Sequence, residues 1–135
     1  MKNRRRTVIG ITLIVLIGLT SLGLAGALKE QQYIDLGKAE YQGGNYDAAI
    51  YLFNKAIELN PSYVDAMINL GVAYRDLNLL EKSDDILNKA NQLMPNIFVI
   101  VYNLAITKQG MGDYEEAEKN YRAAIELNPQ LSEIY

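Results

Sequence analysis

The chain has 135 residues, half of them apolar, which leaves room for one small domain plus an appendage and excludes a disordered chain. It contains no cysteine and no histidine, which removes thiolate nucleophiles, disulfides, Ser-His and Cys-His catalysis, and the zinc sites built on those ligands. The net charge of −3 conceals an asymmetry, because residues 1–28 carry four cations and no acid while the rest carries 9 basic and 16 acidic residues.

The first predicted element follows a basic tail, residues 1–6, which holds Lys2, Arg4, Arg5 and Arg6. Thr7 to Leu28, TVIGITLIVLIGLTSLGLAGAL, is 22 residues without a charge. As a helix rising about 1.5 Å per residue it spans roughly 33 Å, enough to cross a hydrocarbon core of about 30 Å. Residues 7–28 are therefore expected to form a single-pass transmembrane helix with the lipid bilayer as a partner. The cations place the N-terminus in the cytoplasm and the body on the extracytoplasmic side. The alternative is a signal peptide cleaved after Ala27, at the small residues Ala25-Gly26-Ala27, which releases a secreted or periplasmic chain. The apolar run exceeds the usual h-region of about 7–15 residues, which favours the retained anchor. No Pro, Gly or Ser stands between Leu28 and Leu36, so the spanning helix is expected to continue into the next one with little or no break.

The rest of the chain repeats. Its three prolines, Pro61, Pro95 and Pro129, recur at an interval of 34 residues, each closing the tripeptide Leu-Asn-Pro or Leu-Met-Pro. Superposing 30–63, 64–97 and 98–131 aligns Tyr33-x-x-Leu36-Gly37 with Met67-x-x-Leu70-Gly71 and Val101-x-x-Leu104-Ala105. The second halves align as Tyr46-x-x-Ala49-x-x-x-Phe53-x-x-Ala56, Leu80-x-x-Ser83-x-x-x-Leu87-x-x-Ala90 and Tyr114-x-x-Ala117-x-x-x-Tyr121-x-x-Ala124. Spacings of three and four put these residues on one helix face, so each unit is predicted to hold two amphipathic helices. Turns are expected at Gly43-Gly44-Asn45, at Asn78-Leu79 and at Gly110 to Asp113, where Gly and Asn reach positive φ. Asp113 is placed to cap the helix after it. Gly37, Gly71 and Ala105 let the second helix approach, and Ala49, Ser83 and Ala117 answer them. Pro61, Pro95 and Pro129 stop each second helix. No single hairpin buries its apolar face, so the three are expected to stack.

A helix-turn-helix unit of this length with this aromatic-Leu-Gly, Ala, aromatic and Pro pattern resembles the tetratricopeptide repeat. Three repeats are identified, at 30–63, 64–97 and 98–131, followed at 132–135 by the start of an incomplete capping helix. Mild departures are Glu40 and Lys108 in place of a usual tyrosine, and Asn78 and Leu80 in place of Gly and Tyr. The resemblance implies an all-α, right-handed solenoid whose concave groove is lined by the first helix of each hairpin and holds an extended peptide or partner helix. Carried onto this chain, the groove positions are Gln31, Ile34, Asp35, Lys38 and Tyr41, then Asp65, Ile68, Asn69, Val72 and Arg75, then Val99, Tyr102, Asn103, Ile106 and Gln109. Asn69 and Asn103 stand where such repeats hydrogen-bond a peptide backbone. Ile68, Val72, Tyr102 and Ile106 are apolar where a wet surface is expected. Some family members grip a C-terminal carboxylate with a clamp of Lys, Arg and Asn. Lys38 and Asn69 fit such a clamp, but Ile34, Val99 and Asn103 stand where Lys, Lys and Arg are needed, so a partner held by backbone contacts and apolar pockets is expected instead.

No catalytic or metal site and no cofactor is expected. Asp84-Asp85 and Glu115-Glu116 are adjacent on helices, about 100° apart, and do not converge on one reacting atom. They are expected on a solvated face. The acidic body has no run of Lys or Arg and repels phosphate backbones, so nucleic acid is not an expected partner. The expected function is that of a non-enzymatic scaffold or adaptor, anchored in a membrane, that assembles or stabilises a membrane or envelope complex. A soluble exported adaptor and an accessory subunit of an enzyme complex are the alternatives. Homo-oligomers through the uncapped C-terminal end are a further expectation.

Overall fold

The computed structural model describes residues 29–130. The basic tail, the apolar run 7–28 with its anchor and cleavage readings, and the last five residues lie outside the described residues. Among the described residues there are six helices and no strand: α1 Glu30–Gln42, α2 Tyr46–Leu59, α3 Val64–Asp76, α4 Leu80–Leu93, α5 Phe98–Met111 and α6 Tyr114–Leu127. No helix among them is long and apolar enough to cross a membrane.

Lys29 has an extended backbone (φ −66°, ψ 154°) and α1 begins at Glu30; the expected junction with the run 7–28 lies outside the described residues. The Gln32 side chain reaches back and its Oε1 accepts from the Lys29 backbone N–H at 2.9 Å. That bond fixes a helix start there.

Within each hairpin the turn is built the same way. Gly44, Asn78 and Gly112 stand at equivalent places and take φ of 80°, 58° and 81°. The residue after each donates to a carbonyl five positions back: Asn45 to Glu40 at 2.9 Å, Leu79 to Tyr74 at 2.8 Å and Asp113 to Lys108 at 2.9 Å. The left-handed residues themselves donate three positions back, which completes the Schellman pattern and satisfies the carbonyls orphaned at the helix end. Asp113 caps α6 as expected, its carboxylate accepting from the Glu116 N–H at 3.4 Å. Between hairpins Asn60, Met94 and Asn128 are drawn toward extended backbone, with φ near −136°, −134° and −140°. The proline after each excludes the helical region.

The core runs through the stack rather than sitting in any one hairpin. Each helix pairs with its hairpin partner, α2 touches α3, α4 touches α5, and the first helices α1, α3 and α5 also touch in succession. Phe53, Ala49 and Ala56 from α2 cluster with Ile34 from α1 and with Ala66, Leu70 and Ala73 from α3. Leu87 and Ala90 from α4 cluster with Met67, Ile100 and Leu104. The apolar face of the first hairpin is thus covered by the second and that of the second by the third, which is the reason such units are stable only as an array.

Candidate functional site

The face of α1, α3 and α5 is the candidate site, and the expected groove residues differ in how far they reach its surface. Val99 is exposed; Ile68, Val72, Tyr102 and Ile106 are half-buried and so remain partly accessible. Phe98 stacks on Tyr102 with ring centroids 5.6 Å apart, and Tyr121 of α6 meets Tyr102 edge-on at 6.0 Å. Together these form an apolar surface concentrated on the second and third hairpins.

Ile34 is a correction. It is fully buried (0% exposed) between α2 and α3, because Ala66 and Leu70 of the second hairpin close over it. It belongs to the core and lines no groove. Asn103 is also buried, at 8% exposure, and both ends of its amide are engaged. Its Nδ2 donates to the Val99 carbonyl at 2.7 Å and its Oδ1 accepts from Arg75 at 2.8 Å.

The other polar residues are engaged with each other as well. Lys38 pairs with Asp65 at 3.0 Å. Asn69 donates to the Asp65 carbonyl at 2.6 Å and to its carboxylate at 3.2 Å. Gln31 donates to Asp35 at 2.9 Å and accepts from the Tyr63 hydroxyl. Gln109 accepts from the Tyr121 hydroxyl at 2.7 Å. Tyr41 donates to Asp76, which also pairs with Arg75 at 3.3 Å. The bond to Asp76, followed by burial, holds the Tyr41 phenol up at about 12, because the carboxylate opposes a second negative charge.

A second polar group lies behind the groove, between α4 and α5. Lys108 meets Asp84 at 2.8 Å with side chains only 19% and 15% exposed, and Ser83 shares a 3.0 Å hydrogen bond with Thr107. Asp84 is therefore not on a solvated face as expected, whereas Glu115 is exposed. Sequence spacing carried a faint signal for this seam, since Lys108 stands where the repeat usually has tyrosine and Ser83 where it has alanine. The hydrogen bond to Asp84 raises the Lys108 ammonium above its ordinary value.

Among the described residues no group of His, Cys, Asp and Glu is placed to hold a metal. A hollow on α6 is lined by Glu115, Glu118, Lys119, Arg122 and Glu126. Its cations are paired along the helix with Glu116 and Glu118, and it converges no nucleophile and base.

Comparison with known proteins agrees with this geometry. A family model described as TPR repeat matches residues 37–78, and models described as tetratricopeptide repeat match 64–97 and 100–131. The chain is 36% identical over 107 residues to heat shock protein STI1 of Saccharomyces cerevisiae, covering 76% of this chain and 18% of that protein. The curated relatives it matches are thus several times longer. Among solved structures, the Arabidopsis OM64 TPR domain superposes with a TM-score of 0.73 at 22% identity, covering 75% of this chain and 84% of that one. The first TPR of Spaghetti (RPAP3), bound to the HSP90 peptide SRMEEVD, superposes with a TM-score of 0.73 at 24% identity, covering 75% and 80%. With three successive family matches over the three stacked hairpins, the chain belongs to the tetratricopeptide-repeat family.

Proposed function

We propose that the protein is a membrane-anchored adaptor. Residues 7–28 hold it in a bilayer with residues 1–6 in the cytoplasm, and the repeats recruit a protein partner on the other side through the face of α1, α3 and α5. Its role is the assembly or stabilisation of a membrane or envelope complex. The observation that carries the binding reading is the accessible apolar surface of Ile68, Val72, Val99, Tyr102 and Ile106, which a soluble face has no reason to keep. A neighbour of the same fold supports it by analogy: the first TPR of Spaghetti is bound to an HSP90 peptide. The membrane reading is supported by the uncharged run and the cations before it.

Photocrosslinking in intact cells from a probe at Tyr102 tests the binding reading. Protein adducts richer than those from a probe at Glu118, on the outer face of α6, are expected, and equal yields would remove the groove from consideration. Alkaline extraction tests the anchor: the full chain is expected to stay with the membrane pellet, and release into the supernatant overturns it. A mature N-terminus beginning at Leu28 identifies the cleaved form instead.

A further inference from the structure

We propose that the groove takes the apolar face of an amphipathic helix of a partner protein rather than an extended or acid-tailed peptide. This rests on the adaptor reading above and narrows it. An extended peptide brings an unsatisfied N–H and C=O at every residue and needs donors and acceptors from its host. Here the polar side chains that line the groove already serve one another. Asn103 is engaged at both ends of its amide, Gln31 at both ends of its own, and the Asn69 amide hydrogens point at Asp65. What remains accessible is chiefly apolar: Val72, Val99 and Ile106. A helix satisfies its backbone internally and presents side chains alone, so it loses no hydrogen bonds on entering such a surface.

Charge points the same way. Lys38 is tied to Asp65, Arg75 to Asp76 and Asn103, and Asp35 is exposed beside them. The first-hairpin end of the groove is therefore net acidic. It repels a carboxylate tail and favours a helix that carries Lys or Arg at one end and apolar residues along the rest.

The test uses the full chain with p-benzoylphenylalanine at Val99 or Tyr102, and at Glu118 as the outer-face control, with the fold checked by far-UV circular dichroism. Three biotinylated peptides are offered. The first is an amidated helix of about 18 residues with leucine at i, i+3, i+4 and i+7 spacing, alanine and glutamine elsewhere, and lysines at one end. The second has the same sequence with central alanines replaced by proline, and the third is SRMEEVD. The helical peptide is expected to crosslink from Val99 and Tyr102 roughly tenfold more than from Glu118, and more than either other peptide. If the proline peptide or SRMEEVD crosslinks from the groove as strongly, the helix inference is overturned and the adaptor reading stands. If no peptide exceeds the Glu118 background, the inference and the groove reading fall together.

Discussion

Gly37 and Gly71 are where the two helices of a hairpin meet, and what stands opposite each is a large side chain. A Cβ added to Gly37 would lie 2.5 Å from the Phe53 ring, and one added to Gly71 would lie 2.6 Å from Leu87 Cγ. Phe53 is 1% exposed and Leu87 0%, so neither can swing away. Alanine in a helix gains about 1 kcal/mol over glycine, whereas overpacking a tight core costs about 1–3 kcal/mol. Overpacking wins, and Gly37→Ala is expected to destabilise by about 1–2 kcal/mol in urea unfolding. Gly43→Ala is the contrast, because its Cβ would come no closer than 3.4 Å, to the Glu40 carbonyl oxygen, and its φ of −77° suits any residue. That variant is expected within about 0.5 kcal/mol of the parent. An unchanged urea midpoint for Gly37→Ala would show that Phe53 yields. These glycines were legible in the sequence because their spacing to Phe53 and Leu87 repeats. Ile34 was not, since it stands where Ile68 and Tyr102 stand, and its full burial in the cluster with Phe53, Ala66 and Leu70 depends on packing that the spacing does not show.

The elements differ most at the two seams between hairpins. Where α2 meets α3, the residues are Ile50, Ala49, Ala73 and Tyr74, an apolar set. At the equivalent places where α4 meets α5, they are Asp84, Ser83, Thr107 and Lys108, a polar one. Asp84 Oδ1 is buried without a hydrogen-bond partner in the protein, so the carboxylate depends on Lys108 alone for its charge. Lys108→Met strands that charge. Breaking a fully buried pair costs about 3–5 kcal/mol, and the remaining exposure of this one reduces the expected loss to about 1–3 kcal/mol. The double variant Asp84→Ile, Lys108→Tyr copies the other seam and is expected to recover most of that loss, since apolar replacement of a buried pair is often neutral or better. Chemical denaturation of the single and double variants decides the point: a double variant no more stable than Lys108→Met would mean that the seam is shaped for the ion pair. Helix placement was readable from periods of three and four, because the apolar positions answer local geometry. The ion pair was not, because Asp84 and Lys108 are 24 residues apart and the departures at Lys108 and Ser83 name no partner. The same holds for Arg75 and Asn103, which turned an expected peptide-binding amide into a structural one.

Across the whole molecule, the stack is held by contacts between consecutive hairpins, and two of these involve a proton held more tightly than usual. Tyr41 of the first hairpin donates to Asp76 of the second, and Lys108 of the third pairs with Asp84 of the second. The Tyr41 phenol is pushed up from 10.0 to about 12, first by that hydrogen bond and then by burial. Lys108 is raised above 10.5, first by its hydrogen bond to Asp84. In both cases the folded chain holds its proton more tightly than the unfolded one, so both contributions are complete below pH about 10 and are lost as pH rises through the folded values. Between pH about 10 and 12 the unfolded state binds fewer protons, and stability must therefore fall with pH. The urea midpoint of the full chain is expected to drop across that window, with a shallower slope in Tyr41→Phe and the shallowest in Tyr41→Phe, Lys108→Met. Because each hairpin buries its apolar face only against the next, weakening either contact loosens the coupling between neighbours before it unwinds any helix. Near pH 11 the transition monitored at Tyr41 is then expected to precede loss of the far-UV helix signal. Coincident transitions, or parallel slopes in parent and double variant, would show that apolar burial alone couples the hairpins.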